Sequence, residues 1–287
     1  MTKWQLYVGL LSLCTGSVLL TFVLLCVMKL KSQKSINISF DPPRGDTGPS
    51  SGALVIVEPR DHPMLARVID EFSARVPKEW VLYVVHGSSN RAYAERASSN
   101  TAKNRRTVFI ELHADNLSAA QYNALFKTPS FWDCVHAEHI LIFQTDAMPC
   151  GVSDLDIARF GTFGYIGCAY DGDKVGLHTG YWGSNAFYGV GGLSLRRKSF
   201  IQECLKKYPK GTDPEAEDVT FSACVNAVPG YDIPTAEDLG DFCAQGSWGD
   251  TSREPRSWGV HKFGDGGMSA SNKSQFTTYC PVSLLTS

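Results

Sequence analysis

The sequence lacks the cysteine and histidine patterns that mark common metal-binding and redox proteins. Its nine cysteines include no CxxC pair and no Cys/His cluster with zinc-ligand spacing, so neither a structural zinc fold nor a thioredoxin-like motif is indicated. Cys14 and Cys26 lie near the amino terminus, and seven more are scattered between positions 134 and 280. Because seven is odd, at least one of these thiols stays unpaired within a monomer, and the sequence leaves the pairing open.

The chain also lacks an excess of basic charge. Its 287 residues have a formal net charge of −2, and the first 34 residues hold four lysines and no acidic residue. The remainder carries 23 basic and 29 acidic residues, a net charge of −6. Nucleic-acid-binding domains need clustered positive charge, so we expect no nucleic-acid partner. There is no internal repeat either.

What the sequence does contain, near its start, is a long apolar run. Residues Leu6 to Met28 include no charged side chain and are long enough to cross a bilayer core of about 30 Å as a helix. A cleaved signal peptide has a shorter apolar region of about 7–15 residues. We therefore expect a short tail at 1–5, an uncleaved transmembrane helix at 6–28, a flexible Ser/Pro/Gly-rich stem at 29–52 and a globular domain at 53–287.

Two observations disagree about the side of the membrane on which the domain lies. One lysine precedes the span and three follow it, which by the positive-inside rule favours a cytoplasmic domain. The short tail and the glycosylation sequons at Asn37, Asn116 and Asn272 favour a luminal domain. The orientation therefore stays open at this point.

Strand-like and helix-like segments alternate through the first half of the domain. Continuous apolar runs predict strands at 53–59, 80–87, 107–112 and 139–143. Asp61 is the predicted cap of a helix with apolar residues at helical spacing from Leu65 to Val76, and Ser118 with Gln121 predicts a capping box. This alternation is typical of an α/β fold with a mostly parallel sheet flanked by helices.

The second half is richer in glycine and aromatic residues. Residues 163–170 predict a short strand, and 189–200 predict a glycine-rich loop, a strand and the start of a helix. A further helix is predicted over 213–228, with Asp213 as its N-cap and Pro214 as its first residue.

Several polar residues stand where parallel sheets place binding sites. Glu58, His86 and Asp146 follow the carboxyl ends of predicted strands, which is where open α/β sheets bind ligands. Each has a purely structural alternative, as do Glu217-Asp218, which would compensate a helix dipole, and His261, which would be an ordinary core or surface histidine.

Five short motifs, in order, resemble one family. "IFQTDAMPC", "GYIGCAYDG", "GVGGLSLRRKS", "EDVTFS" and "WGVHKFG" are similar to the motifs of the DUF5672 glycosyltransferase-like family. The resemblance extends from about Ala53 to Phe263 and implies a GT-A-like fold that uses a nucleotide-diphosphate sugar as donor. It further implies transfer to an acceptor hydroxyl and, for an anchored enzyme, a Golgi location with a luminal domain.

The resemblance makes Asp146 and His261 the expected metal ligands. A divalent ion held there would neutralise the diphosphate of the donor. Many GT-A enzymes use an Asp-x-Asp motif, whereas this chain has Gln144-Thr145-Asp146, with Gln144 and Thr145 as expected nucleotide contacts. A histidine ligand suits Mn²⁺ better than Mg²⁺, so Mn²⁺ is the expected ion.

The remaining expected site residues also come from the resemblance. Either Asp218 or Glu217 would be the general base that takes the proton of the acceptor hydroxyl, with Asp218 preferred, and the transfer would then invert the anomeric carbon. Gly191 and Gly192 would let the backbone approach the sugar or pyrophosphate. Glu58 and Arg60 would contact the nucleoside.

Other expectations are less specific. Arg196 and Arg197 would contact phosphate or lie in a solvated helix start, and Trp182, Trp248 and Trp258 would stack on sugars or pack internally. Two rival functions share the same motifs. The first is an inactive sugar- or nucleotide-binding module, since Gln144 replaces an acid. The second is a nucleotide-sugar hydrolase.

Overall fold

The computed structural model describes residues 38–150, 153–170, 188–208, 216–245, 254–262, 274 and 277–280. The predicted tail and transmembrane helix, 1–5 and 6–28, lie outside this part of the chain. Among the residues that are described, no helix is both long enough and apolar enough to span a bilayer.

Within the described residues, nine strands form one sheet. In chain order they are β1 (Ser50–Val57), β2 (Val81–Gly87), β3 (Thr107–Leu112), β4 (Ala137–Phe143), β5 (Ala147–Pro149), β6 (Tyr165–Tyr170), β7 (Val190–Arg197), β8 (Cys243–Gln245) and β9 (Gly259–His261). Their order across the sheet is β3-β2-β1-β4-β7-β6-β8-β9-β5. The pairs β1–β2, β1–β4, β2–β3, β6–β8 and β8–β9 are parallel, and the pairs β4–β7, β6–β7 and β5–β9 are antiparallel. The predicted mostly parallel α/β sheet is confirmed.

Helices cover both faces of the sheet. The α-helices are α1 (Leu65–Arg75), α2 (Arg91–Ala97), α3 (Ser99–Ala102), α4 (Ala119–Phe126), α5 (Pro129–Asp133), α6 (Lys198–Lys207), α7 (Glu217–Val225) and α8 (Ala236–Phe242), with a 3₁₀ turn at Ile157–Phe160. Alternate residues of β1 enter different cores, since Leu54 and Ile56 pack with α1 while Val55 packs with Phe131 and Trp132 on the other face. Burial on both faces explains the continuous apolar runs of β1, β2 and the second half of β4. In β3, buried residues alternate with partly exposed ones.

Helix starts were predicted with mixed success. The capping box at Ser118 and Gln121 is present, with both reciprocal hydrogen bonds. The predicted cap at Asp61 is wrong, because α1 begins only at Leu65, after Met64, and without a side-chain cap. The helix predicted over 213–228 begins at Glu217 after an extended Ala216, while Asp213 and Pro214 lie outside the described residues.

The second part of the predicted flexible stem is packed against the domain. Within the predicted stem of 29–52, residues 38 onward run beside β3 through bridges from Phe40 to Leu112 and from Arg44 to Phe109. The ring of Phe40 also meets Phe131 edge-on. These backbone hydrogen bonds and the aromatic contact hold the segment, so the ordered domain begins before the predicted boundary at residue 53.

Three disulfides join distant parts of the described chain. They link Cys150 to Cys280, Cys168 to Cys243 and Cys204 to Cys224. Cys134 is the free cysteine of the described residues, and burial raises the pKa of its thiol. The odd cysteine expected from the count is therefore Cys134.

We expect peptide mapping to reproduce this pairing. When the oxidised protein is denatured in iodoacetamide without reductant, Cys134 should carry the label, because the other six cysteines of the domain have no free thiol. Mass spectrometry of the digest should find those six as three linked peptide pairs. Labelling after reduction is the control, and a linked peptide containing Cys134 would contradict the pairing.

Candidate active site

A cavity of about 450 Å³ lies at the carboxyl ends of β1 and β4. The strand-end rule predicted this position. Nine of the ten predicted site residues line it: Glu58, Arg60, Gln144, Thr145, Asp146, Gly192, Glu217, Asp218 and His261. The tenth, Gly191, does not line the cavity, but its backbone N–H donates a hydrogen bond to the carboxylate of Asp218, which does. His86 is buried beside Gly87 and does not line the cavity.

Backbone pairing brings His261 to Asp146. After β4, a turn over Gln144–Asp146 is closed by the Ala147 N–H, which donates to the Gln144 carbonyl at 3.1 Å. β5 then pairs with β9 in a register that sets Ala147 opposite His261. The Lys262 N–H donates to the Asp146 carbonyl at 3.1 Å. Two segments more than a hundred residues apart therefore meet at one corner of the sheet.

Three side-chain groups converge there. His261 Nε2 lies 3.2 Å from Asp146 Oδ1 and 3.1 Å from Gln144 Oε1. The His261 residue is only 2% exposed. Burial works to raise the pKa of the Asp146 carboxyl, but the adjacent His261, with help from Lys262, outweighs burial and lowers it. The carboxylate form of Asp146 is therefore favoured.

These groups fit a divalent cation. Asp146 Oδ1 is buried, and its 3.2 Å contact with His261 Nε2 does not have the geometry of a hydrogen bond. A cation between the two atoms would satisfy this oxygen. A carboxylate oxygen, an amide oxygen and an imidazole nitrogen form a ligand set compatible with Mn²⁺. The described chain holds no cluster of three His, Cys, Asp or Glu side chains suited to a metal, so Gln144 would have to contribute the third protein donor.

Glu217 is occupied by an ion pair. It is 3% exposed, and its Oε2 lies 2.7 Å from Nη1 of Arg196, while Arg196 Nη2 donates to Oε1 at 3.0 Å. Burial raises the pKa of the Glu217 carboxyl despite the attraction of Arg196. The alternative in which Glu217 is the base is disfavoured, because its carboxylate is bound to another group.

Arg196 is neither a phosphate contact nor a solvated residue, so both expectations for it are wrong. It is fully buried, and aromatic rings surround its guanidinium. The ring centres of Phe126, Trp132, Tyr165 and Phe221 lie 5.1, 5.9, 5.4 and 5.1 Å from its Cζ. Cation–π attraction and the Glu217 carboxylate thus stabilise the positive charge of Arg196 in the interior of the protein, whereas the sequence pattern predicted it at the surface or at a phosphate.

Both acids of the pair line the cavity, and Asp218 is the one whose carboxylate lies outside the ion pair with Arg196. It is half-buried, and the Gly191 N–H donates to its Oδ2 at 3.1 Å, while the Val219 N–H donates to its Oδ1 at 2.8 Å. Successive helical residues point about 100° apart, so Glu217 turns to Arg196 while Asp218 points away from that pair. Two backbone donors hold the carboxylate in place and leave lone pairs for an acceptor hydroxyl.

The two glycines make room for site side chains. A Cβ on Gly191 would lie 2.2 Å from Glu217 Oε1, and a Cβ on Gly192 would lie 2.1 Å from His261 Nε2. The expectation was that these glycines admit a sugar or pyrophosphate. In the structure, the space over each is filled by a carboxylate or an imidazole of the site itself.

Glu58 and Arg60 form a rigid corner at the end of β1. Glu58 Oε1 accepts from Arg60 Nε at 2.8 Å and Oε2 accepts from Nη2 at 2.9 Å. Asn90 donates to the carbonyls of both residues, at 3.1 and 2.8 Å. The Arg60 side chain stays 54% exposed. Its guanidinium therefore adds positive charge to the cavity, and these hydrogen bonds hold it in place.

Sequence reasoning missed several contributors. Lys262 lines the cavity and has a φ of 51°, a conformation that non-glycine residues seldom adopt. Asn123 accepts from the Glu217 N–H at 3.2 Å, and Gln245 contacts His261. The position of Lys262 beside His261 was the one available signal. Trp258 is fully buried and packs on Phe72 and Phe242, so it does not stack on a sugar, while Trp182 and Trp248 lie outside the described residues.

Comparison with known proteins identifies a family. A family model described as "Protein of unknown function (DUF5672)" matches residues 106–261, more than half of the chain, which confirms the resemblance seen in the motifs. No curated protein matches the chain at a significant level.

Several solved structures are similar to the chain at low identity. Mannosyltransferase PcManGT from Pyrobaculum calidifontis, in complex with GDP-Man and Mn²⁺, is 15% identical with a TM-score of 0.44 over 75% of this chain. The apo WbbM bifunctional glycosyltransferase is 10% identical, with a TM-score of 0.49 over 77%. Apo GlyE from Streptococcus pneumoniae TIGR4 is 10% identical, with a TM-score of 0.48 over 81%. This chain spans 62%, 47% and 60% of their lengths, and TM-scores below 0.5 do not transfer their chemistry to it.

The buried ion pair predicts a large, asymmetric effect on stability. Arg196→Met should lower the free energy of unfolding by about 3–5 kcal/mol, because it leaves the Glu217 carboxylate buried without its partner. Denaturant unfolding under non-reducing conditions measures this. The matched control is Arg197→Met, whose half-exposed pair with Glu138 should contribute about 0–1 kcal/mol. Equal losses for both variants would contradict the assignment.

Proposed function

We propose that this chain, which belongs to the DUF5672 family, is a glycosyltransferase that moves a sugar from a nucleotide-diphosphate sugar to an acceptor hydroxyl. The observation that carries the proposal is the convergence of Asp146, Gln144 and His261 in the same cavity as Asp218. One part of the cavity is thus suited to a cation-bound diphosphate, and another offers a carboxylate base.

The donor end would be built on the metal-ligand candidates. Asp146, His261 and Gln144 would hold Mn²⁺, or less favourably Mg²⁺, and the bound ion would neutralise the diphosphate as it leaves. Arg60 and Lys262 also line the cavity and add positive charge to a site that is lined by four carboxylates. Glu58 and Thr145 would complete the nucleotide contacts.

Asp218 would act as general base. The acceptor oxygen forms a bond to the anomeric carbon while the bond from that carbon to the diphosphate oxygen breaks, and the acceptor proton passes to the Asp218 carboxylate. General base catalysis of this kind contributes about 10²- to 10⁴-fold. A single displacement inverts the configuration of the anomeric carbon, so an inverting transfer is part of the proposal.

Two other functions would use the same cavity. A binding module without turnover is favoured by Gln144, because an amide replaces the first acid of an Asp-x-Asp motif and lowers the negative charge at the metal. A nucleotide-sugar hydrolase would use the same donor contacts with water as acceptor. Incubation of the purified protein with a panel of nucleotide sugars and Mn²⁺ separates the three. Turnover that requires an added acceptor supports transfer, binding without turnover supports the module, and turnover indifferent to acceptors supports hydrolysis.

The two acids should fail in different ways. Asp146→Asn should abolish metal-dependent donor binding, because it removes the charged ligand. Asp218→Asn should leave donor binding intact and lower the turnover rate by about 10²- to 10⁴-fold, because it removes the base. Calorimetric titration of the donor with Mn²⁺, beside initial rates, measures both. Asp133→Asn, at an exposed position on α5, is the matched control, and full activity of Asp146→Asn would overturn the site.

We further propose that residues 6–28 anchor the chain with its domain in the lumen of the Golgi. Three disulfides in the domain are typical of oxidising compartments and support the luminal orientation over the one that the lysine asymmetry favours. Protease treatment of sealed vesicles should leave the domain intact until detergent is added. Cleavage of the domain before detergent treatment would place it on the cytoplasmic side.

A further inference from the structure

Both ring nitrogens of His261 face oxygen atoms. Nδ1 lies 2.5 Å from Oε1 of Gln245, while Nε2 faces Gln144 Oε1 at 3.1 Å and Asp146 Oδ1 at 3.2 Å. A neutral imidazole carries one proton, so it donates on one side and presents a lone pair on the other. Which side carries the proton decides whether His261 is able to bind a metal at the cavity.

The contact with Gln245 selects the proton position. An amide oxygen only accepts hydrogen bonds, and oxygens face both nitrogens of the ring. An imidazolium would donate on both sides, but the neutral imidazole that binds a metal has a single proton. The shorter contact, 2.5 Å at Nδ1 against 3.1 and 3.2 Å at Nε2, places that proton on Nδ1. A lone pair on Nδ1 would instead face the lone pairs of Oε1. With the proton on Nδ1, the Nε2 lone pair points toward Gln144 Oε1 and Asp146 Oδ1. The lone pairs of these three atoms repel one another, and a cation placed between them would be bound by all three.

The fold holds Gln245 firmly in this position. It lies at the end of β8 and is 6% exposed. β8 is parallel to β9, with Ala244 beside Val260, which places Gln245 next to His261. On its other side β8 is parallel to β6, and the Cys168–Cys243 disulfide joins these two strands. Burial also keeps water from competing for the Nδ1 proton.

We infer that Gln245 is a positioning residue that fixes His261 in the Nδ1-protonated form and so directs Nε2 at the cation. This inference rests on the proposed metal-dependent function and adds a residue to it. Hydrogen bonds from the second nitrogen of a metal-bound histidine orient the ring and raise its basicity, and their loss weakens metal affinity or activity by about 10- to 100-fold.

Direct measurement of Mn²⁺ affinity tests the inference without relying on catalysis. Titration of the full-length, oxidised protein with Mn²⁺, followed by the electron paramagnetic resonance signal of the free ion, gives the Kd. Gln245→Leu should weaken binding by about 10- to 100-fold. Gln245→Glu should retain wild-type affinity or exceed it, because a carboxylate also accepts from Nδ1. Gln202→Leu, on α6 away from the cavity, is the control for the substitution itself.

The Gln245→Leu variant separates this proton placement from its alternative. If the amide nitrogen of Gln245 donated to Nδ1, the proton of the neutral ring would lie on Nε2. Loss of that donor would then free Nε2, and the leucine variant would bind Mn²⁺ more tightly than wild type. That result overturns the inference. Equal affinity of wild type and a folded Gln245→Leu variant overturns it too, while the proposed function stands. A wild-type protein that binds no Mn²⁺ contradicts both.

The wild-type protein provides a second measurement if the leucine variant does not fold. With ¹⁵N-labelled histidine, long-range proton–nitrogen NMR of the metal-free protein, at a pH at which the ring is neutral, reports which ring nitrogen of His261 is protonated. The signal is assigned by comparison with His261→Asn. A protonated Nδ1 supports the inference, and a protonated Nε2 overturns it.

Discussion

The ion pair between Arg196 and Glu217 is the constraint on which the geometry of the cavity depends. It links β7 in the sheet to the first turn of α7, and neither side chain reaches solvent. Because a buried charge without its partner is costly, α7 has little freedom to rotate or shift. Asp218, the next residue, is thereby held at the cavity wall, and the Gly191 N–H on β7 holds its carboxylate. The catalytic proposal for Asp218 therefore depends on its buried neighbour.

A second connection completes the other side of the cavity. The short β5–β9 pairing places His261 against Asp146, and the β6–β8 pairing with its disulfide places Gln245 behind the imidazole. Gly192 on β7 leaves space for that ring. The central strand β7 thus supports both ends of the site: Gly191 and Arg196 fix the acids of α7, and Gly192 accommodates the metal-ligand candidate.

Features that depend on residues close together in the chain were predicted correctly, and features that depend on residues far apart in the chain were not. β3 and the capping box at Ser118 depend on local patterns and were predicted residue by residue. Asp61 failed as a cap because α1 starts where its apolar face meets the core, not at the nearest polar residue. The part of the predicted stem from Ile38 onward pairs with β3 through backbone hydrogen bonds, which side-chain composition does not encode. The sequence pattern placed Arg196 at a phosphate or in solvent, because its ion-pair partner Glu217 lies 21 residues away in the chain.

The sequence by itself determined the α/β class, the strand-end location of Asp146 and the family to which the chain belongs, because apolar periodicity and ordered motifs are local properties. Only the tertiary structure decided which of two adjacent acids stays outside the buried ion pair, which cysteine stays free and which group contacts the second nitrogen of His261. Each of those outcomes depends on contacts between residues far apart in the chain, such as Gln144 with His261 and Arg196 with Glu217. No local pattern encodes the distances between them.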